Sequence, residues 1–286
     1  MKVKNFVSKR LLLAHALVGL LIFVWCGSMW AAQPEADHPF DAGFRQMYNL
    51  KFEAAHKIFE NWEQTHPDDP LGPVFNAAAY LFSEFDRLQV LEFETFTDNE
   101  RLENRRNVTP DLQIKAAFER KLAKADGIAA GICARSPNVA DALFAQVLVN
   151  GLRGDYAALI EKRNGAGLKF LKLSRSIAEK LIDIDPTYYD AYLAIGIENY
   201  IVGIRSAPVQ WLLRMSGAQA NRSEGIAKLK ITAEKGRYLA PYARILLAIA
   251  AVRDRDSRTA RELLSDLVQE FPQNRLYRSE LARLPR

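Results

Sequence analysis

Two stretches of this chain concentrate the residue types that make directed contacts. Tyr188, Tyr189, Tyr192, Glu198, Asn199 and Tyr200 fall between Tyr188 and Gly203. Phenol rings give rigid contact area, and Asn or Glu beside them give hydrogen-bond partners that the backbone of an extended peptide needs. The competing expectation is tyrosines packed between helices with their hydroxyls at the surface. The second stretch is Arg205–Gly217. Pro208 can open a short helix on which Val209, Leu212 and Leu213 share a face, with Trp211 nearby. It reads as a lid over a groove, as a small interfacial membrane contact supported by Arg205 and Arg214, or as an insertion packed into the body. The candidate binding residues are Tyr192, Glu198, Asn199, Tyr200 and Trp211.

Catalytic chemistry finds no such foothold. The chain has no HExxH, GxSxG, GxxxxGK[ST] or GxGxxG motif, so no catalytic residue is assigned. His38, His56 and His66 lie near Asp37, Asp41 and Asp68, but no two histidines stand four apart on one helix. No metal and no cofactor is expected. Arg153-Gly154-Asp155 reads as a helix end, with Gly154 as the natural stop. The sequons at Asn107 and Asn221 carry no weight in a chain with a bacterial-type export signal. Cys133 is expected as a buried, inert thiol, and with Cys26 in the N-terminal segment no disulfide is expected.

The elements that position these residues follow from an internal repeat. Ala55, Phe59, Trp62 and Pro67 stand at offsets 0, +4, +7 and +12. Ala125, Ala129, Ile132 and Pro137 repeat them, as do Ser174, Ala178, Leu181 and Pro186, and again Ala260, Leu264, Leu267 and Pro272. A small residue sits where two helices cross, apolar residues at +4 and +7 extend that face, and proline ends the helix. Twelve residues before the anchor, Gly43 and Ala248 are small enough to let the preceding helix approach; Gln113 and Lys162 are not. After Pro186 a new unit opens on Tyr192, Ile195 and Gly196.

This pattern resembles the tetratricopeptide repeat, a helix-turn-helix unit of about 34 residues, over most of residues 36–286. DAYLAIGIENYIVG, RMSGAQANRSEGIAKL and AAVRDRDSRTARELLSDLVQEFPQNRLY are similar to exported bacterial tetratricopeptide proteins of unassigned function. The resemblance implies a periplasmic helical-repeat protein. The expected fold is all-α: a right-handed superhelical solenoid of about five degenerate helix-turn-helix units. Long insertions at about 86–110, 153–165 and 203–221 separate first from second helices. Helices are expected at about 37–49, 52–65, 71–85, 111–135, 138–152, 166–184, 188–202, 207–215, 223–235, 240–253, 256–270 and 274–283. LEFETFTD at 91–98 reads as an irregular insertion. First helices of such units line the concave groove, and here that lining is apolar: Val74, Ala78 and Leu81 in one unit, Ile245, Ile249 and Val252 in another. Exposed apolar surface of that extent is uncommon, so the groove is expected to be filled by the insertions.

Residues 1–32 form an address. Lys2, Lys4, Lys9 and Arg10 precede the apolar run Leu11–Cys26. Cleavage after Ala31 or Ala32 puts Met29 or Trp30 at a position where small residues are preferred. The alternative is a retained inner-membrane anchor, since residues 11–32 at about 1.5 Å each reach across a hydrocarbon core of about 30 Å. Trp25 before Cys26 argues against a lipoprotein. Either way residues 33–286 lie outside the cytoplasm, as one periplasmic helical-repeat domain.

Charge supports the same division. The +5 overall belongs largely to the first 32 residues, so it is no argument for nucleic acid. Residues 33–100 carry 14 acids against 4 bases, and 101–286 carry 20 against 31. Such polarity either steers a partner, or its opposite halves attract or simply keep a long solenoid soluble. The expected function is a non-catalytic protein–protein interaction scaffold of the bacterial cell envelope, binding a peptide or partner protein in its groove. The alternative is a periplasmic carrier of a lipid or small apolar ligand, in a cavity roofed by the 86–110 and 203–221 insertions.

Overall fold

The computed structural model describes residues 38–90, 107–204, 215 and 221–285. Residues 1–32, the 91–98 stretch and, Met215 apart, the insertion at 205–217 lie outside the described residues. The chain divides into residues 1–38 and Pro39–Arg286, and every described helix belongs to the second unit.

The described residues of that unit form eleven α-helices: α1 (Asp41–Tyr48), α2 (Phe52–Thr65), α3 (Leu71–Leu88), α4 (Leu112–Arg135), α5 (Ala140–Asp155), α6 (Asn164–Ile184), α7 (Tyr192–Gly203), α8 (Arg222–Lys235), α9 (Ala240–Arg253), α10 (Ser257–Glu270) and α11 (Arg275–Arg283). Each packs on the next in sequence. They pair as five hairpins followed by α11, a helical-repeat solenoid as expected.

The repeat template explains the hairpins. Ala55, Phe59, Ala125, Ala129, Ser174, Ala178, Leu181, Ala260, Leu264 and Leu267 are all buried, while the opposite faces of these second helices stay wet. α2, α4, α6 and α10 end at Thr65, Arg135, Ile184 and Glu270. Each stops two residues before its proline, because the residue preceding a proline is driven out of helical geometry. Gly43 lies directly against Phe59, where a Cβ would collide with the ring. Asp111, Asn221, Asp256 and Asn274 cap α4, α8, α10 and α11 by accepting from free backbone N–H groups.

A fifth instance of the template lies in α8. Gly225, Leu229 and Thr232 occupy offsets 0, +4 and +7 and are buried. Gly225 lets two helix backbones meet, since a Cβ would lie 2.6 Å from the Tyr200 backbone nitrogen. Thr232 is tolerated inside because its hydroxyl donates to the Tyr189 carbonyl at 2.9 Å.

Two sequence readings are corrected. Gly154 does not end a helix: α5 runs through it, and a π-helical turn over Tyr156–Ile160 continues the chain. Gly154 instead lets α6 approach, a Cβ there lying 3.3 Å from the Gly167 carbonyl oxygen. Much of the supposed 153–165 insertion is therefore helical. Cys133 is only partly buried, with its Sγ 4.0 Å from Gln146 Oε1.

The array also closes on itself. Phe44 of α1 stacks on Tyr238, just before α9, with ring centroids 4.9 Å apart, and Phe75 of α3 lies 5.0 Å from the same ring. Asn274 donates from Nδ2 to the Tyr48 carbonyl at 2.8 Å. Arg237 meets Asp41 at 2.8 Å and Arg275 meets Asp86 at 2.9 Å. The acidic beginning of the array thus pairs with its basic end. These exposed pairs are worth about 0–1 kcal/mol each. The aromatic contacts, at about 0.5–1.5 kcal/mol each beyond area burial, weigh more. Val74, Ala78, Leu81, Ile245 and Ile249 are consequently buried. Val252 is partly buried, and most of the insertions expected to fill the groove lie outside the described residues.

Candidate functional site

The fourth hairpin carries four of the five candidate residues, and the structure sorts them by depth. Glu198 and Asn199 are fully buried. Arg175 of α6 places its Nε 2.5 Å from Glu198 Oε2 and also reaches Glu179 at 2.8 Å, so Glu198 ties α7 to α6. Asn199 accepts from the Asn221 backbone N–H at 3.3 Å and donates to the Ile195 carbonyl at 3.3 Å. It fixes where α8 begins. Tyr200 is 7% exposed, with the Arg222 guanidinium 5.7 Å above its ring, and burial raises its phenol pKa. These three side chains face the helix packing. Trp211 lies outside the described residues.

Tyr192 stays at the surface, partly exposed, its hydroxyl donating to the Pro186 carbonyl at 3.1 Å. Tyr189, also partly exposed, has its ring centroid 6.5 Å from that of Tyr192. Lys228 Nζ stands 5.2 Å over the Tyr192 ring, and Lys235 Nζ 5.2 Å over the Tyr189 ring. The two lysines are seven apart, two turns of α8, which sets them along one face. Sequence reasoning missed them. Their spacing is legible, but they lie on the helix after the tyrosines, and only the hairpin brings the two together. Cation–π contacts at exposed sites are worth about 0.5–1 kcal/mol and are easily exchanged for an incoming carboxylate. Ile201, 38% exposed, adds apolar surface near the end of α7.

A buried knot holds this face. Asp190 accepts from the backbone N–H groups of Arg237, Tyr238 and Leu239 at 3.1, 3.2 and 2.8 Å. Burial raises its pKa, and the three amides oppose that rise. Gly236 makes the approach possible: a Cβ there would lie 2.6 Å from both Asp190 Oδ1 and the Thr232 carbonyl oxygen. Tyr188 turns inward, donating to Asp141 at 2.9 Å, and burial drives its pKa upward.

The histidines lie apart from this face. His56 contacts Asn76 at 2.5 Å and burial lowers its pKa, while His66 stacks on Trp62 at 3.6 Å. A partly open cavity of about 60 Å³ is lined by Phe44, Phe75, Leu152 and Leu193, with Asp155, Ser174, Asp190 and Tyr242 as its polar lining. That is space for a few water molecules. Tyr242 and Asp155 oxygens are 3.5 Å apart, and burial pushes the Asp155 pKa up to about 7.

No known family profile matches the sequence, and no curated protein matches it significantly. Among solved structures, the chain is similar to a thermophilic TPR protein of Thermus thermophilus. The identity is 17%, the match covers 85% of this chain and 95% of that one, and the TM-score is 0.43.

Proposed function

We propose that this protein is a non-catalytic interaction scaffold of the bacterial cell envelope. Residues 1–32 export it, as a cleaved signal or a retained inner-membrane anchor, and residues 33–286 work in the periplasm. A partner protein docks on the outer face of the fourth hairpin rather than in the inner groove. The observation that carries this reading is the contrast in exposure. Five of the six apolar groove positions are buried, while Tyr189 and Tyr192 remain partly exposed with lysines over their rings. Tyrosine is among the residue types that most often anchor an interface, and the two lysines select an acidic segment. Glu198, Asn199 and Tyr200 hold α7 in place beneath that face. Trp211 joins the proposal through the sequence alone.

The test is capture from native envelope extract by the C-terminally tagged full chain, beside Tyr189→Ala/Tyr192→Ala and Lys228→Glu/Lys235→Glu variants. The expected result is one specific partner, lost from both variants while their melting temperatures hold. A partner retained equally by both variants would remove this face from the reading. An alkaline phosphatase fused after Arg286 should be active in intact cells; an inactive but stable fusion would overturn the periplasmic placement.

A further inference from the structure

A second cavity opens at the seam where the array closes, with a volume of about 280 Å³. Met47 of α1, Phe85 of α3, Ile245 of α9 and Tyr277 of α11 line it, and all four are buried. Its charged lining residues are Arg275, Arg283 and Asp86. Arg275 spans to Asp86 at 2.9 Å, with the arginine side chain 63% exposed. Arg283 pairs with Glu280 at 2.7 Å and is 54% exposed. The accessible lining is mixed, apolar at Leu50, Phe82 and Leu276 and polar at Gln89 and Ser279, and at its rim each arginine is paired with a carboxylate, the Arg275–Asp86 pair exposed enough to be exchanged.

We propose that this cavity binds a single-chain, medium-length carboxylate. The alkyl tail lies over Leu50, Phe82 and Leu276, and the carboxylate takes the place of Asp86 on Arg275. Size argues for it: at roughly 30 Å³ per heavy atom, the share of one water in the liquid, 280 Å³ holds about nine atoms, close to an eight-carbon acid. Chemistry argues for it too. A guanidinium grips a carboxylate through two parallel N–H bonds. The site is on a different surface from the fourth-hairpin face and does not depend on it.

The experiment is a titration of octanoate, labelled with carbon-13 at its carboxyl, into the full-length chain, followed by the carbon resonance. Labelled octanol and octylamine are the uncharged and reversed-charge controls. A saturable shift at one site per chain is expected, with octanol at least about 10-fold weaker and octylamine without saturation. Arg275→Gln should weaken octanoate by about 10-fold, and Asp86→Asn should strengthen it by about 3-fold by removing the competing anion. Both residues are on the rim, and a thermal melt of each variant checks the fold. Should Arg275→Gln unfold, Arg275→Lys keeps the charge without the fork and should bind at an intermediate level. Absence of a saturable shift, octanol binding as tightly as octanoate, or opposing rim variants that both match the parent would each overturn the proposal.

Discussion

The Tyr48 hydroxyl donates to the Tyr238 carbonyl at 3.0 Å across 190 residues of sequence. Burial raises the phenol's pKa, so the proton stays on the oxygen and the donor role is fixed. This bond, inside the stack of Phe44 on Tyr238, joins the first helix to the entry of α9. Tyr48→Phe leaves the Tyr238 carbonyl buried without that donor. The expected cost is about 1–2 kcal/mol, a fall of roughly 2–6 °C in Tm for a chain of this size. Calorimetry of the two proteins decides it, and an unchanged Tm would mean that the bond adds nothing to closure.

Gly236 and Asp190 give a sharper test. Gly236→Ala drives a methyl group into Asp190 Oδ1 and the Thr232 carbonyl, each 2.6 Å away. One side of that collision is backbone, so a cheap shift is not available. A loss of about 2 kcal/mol or more is expected in urea titration. Asp190→Ala, which strips the buried Tyr238 and Leu239 N–H groups and the part-buried Arg237 N–H of their acceptor, should cost at least as much. Either substitution costing less than about 0.5 kcal/mol would show that the knot is not structural.

Asp155 predicts an unusual pH profile. Its folded pKa of about 7 lies above the ordinary carboxylate value, so the folded state binds its proton more tightly than the unfolded state does. The contribution is therefore fully present in acid and lost as pH rises toward and past 7. Asp155→Asn should stabilise the protein at pH 8 by on the order of 2 kcal/mol and change little near pH 4. Melts at both values check the sign. A variant less stable than the parent at pH 8 would reverse the assignment.

Arg255 stands in the left-handed region at φ 60°, in the turn from α9 to α10, and is exposed. Leu50, five residues before its own anchor as Arg255 is before Ala260, has φ 62°. The repeat demands that conformation at its tight turn and neither residue favours it. Arg255→Gly should therefore raise stability by about 0.5–1 kcal/mol, a gain that a urea midpoint resolves.

The local architecture was open to reading from residue types. Helix faces follow from the anchor template, and helix ends follow from proline and its preceding residue. Gly225-Leu229-Thr232 escaped the template because its third position is polar and no proline closes it; only the Tyr189 carbonyl, 43 residues earlier, makes Thr232 acceptable inside. Gly154 misled because glycine serves both helix ends and close helix contacts, and the choice rests on Gly167 in the next helix. Of the candidate residues, Tyr192 is partly exposed, whereas Glu198 and Asn199 are buried against Arg175 and Asn221. Closure itself has no local signature. Its traces are indirect: first helices too apolar to face water, and an acidic stretch before residue 100 set against a basic remainder.

That closure bears on how such a chain can change through evolution. A linear repeat protein gains or loses a unit at modest cost, because each unit needs only its neighbours. Here Tyr48 must find Tyr238, and Asp41 must find Arg237, at one fixed separation. Duplicating or deleting a hairpin would carry those partners out of register and uncover the aromatic interior. Closure thus couples the stability of the array to its number of units, as it would not be in a linear one.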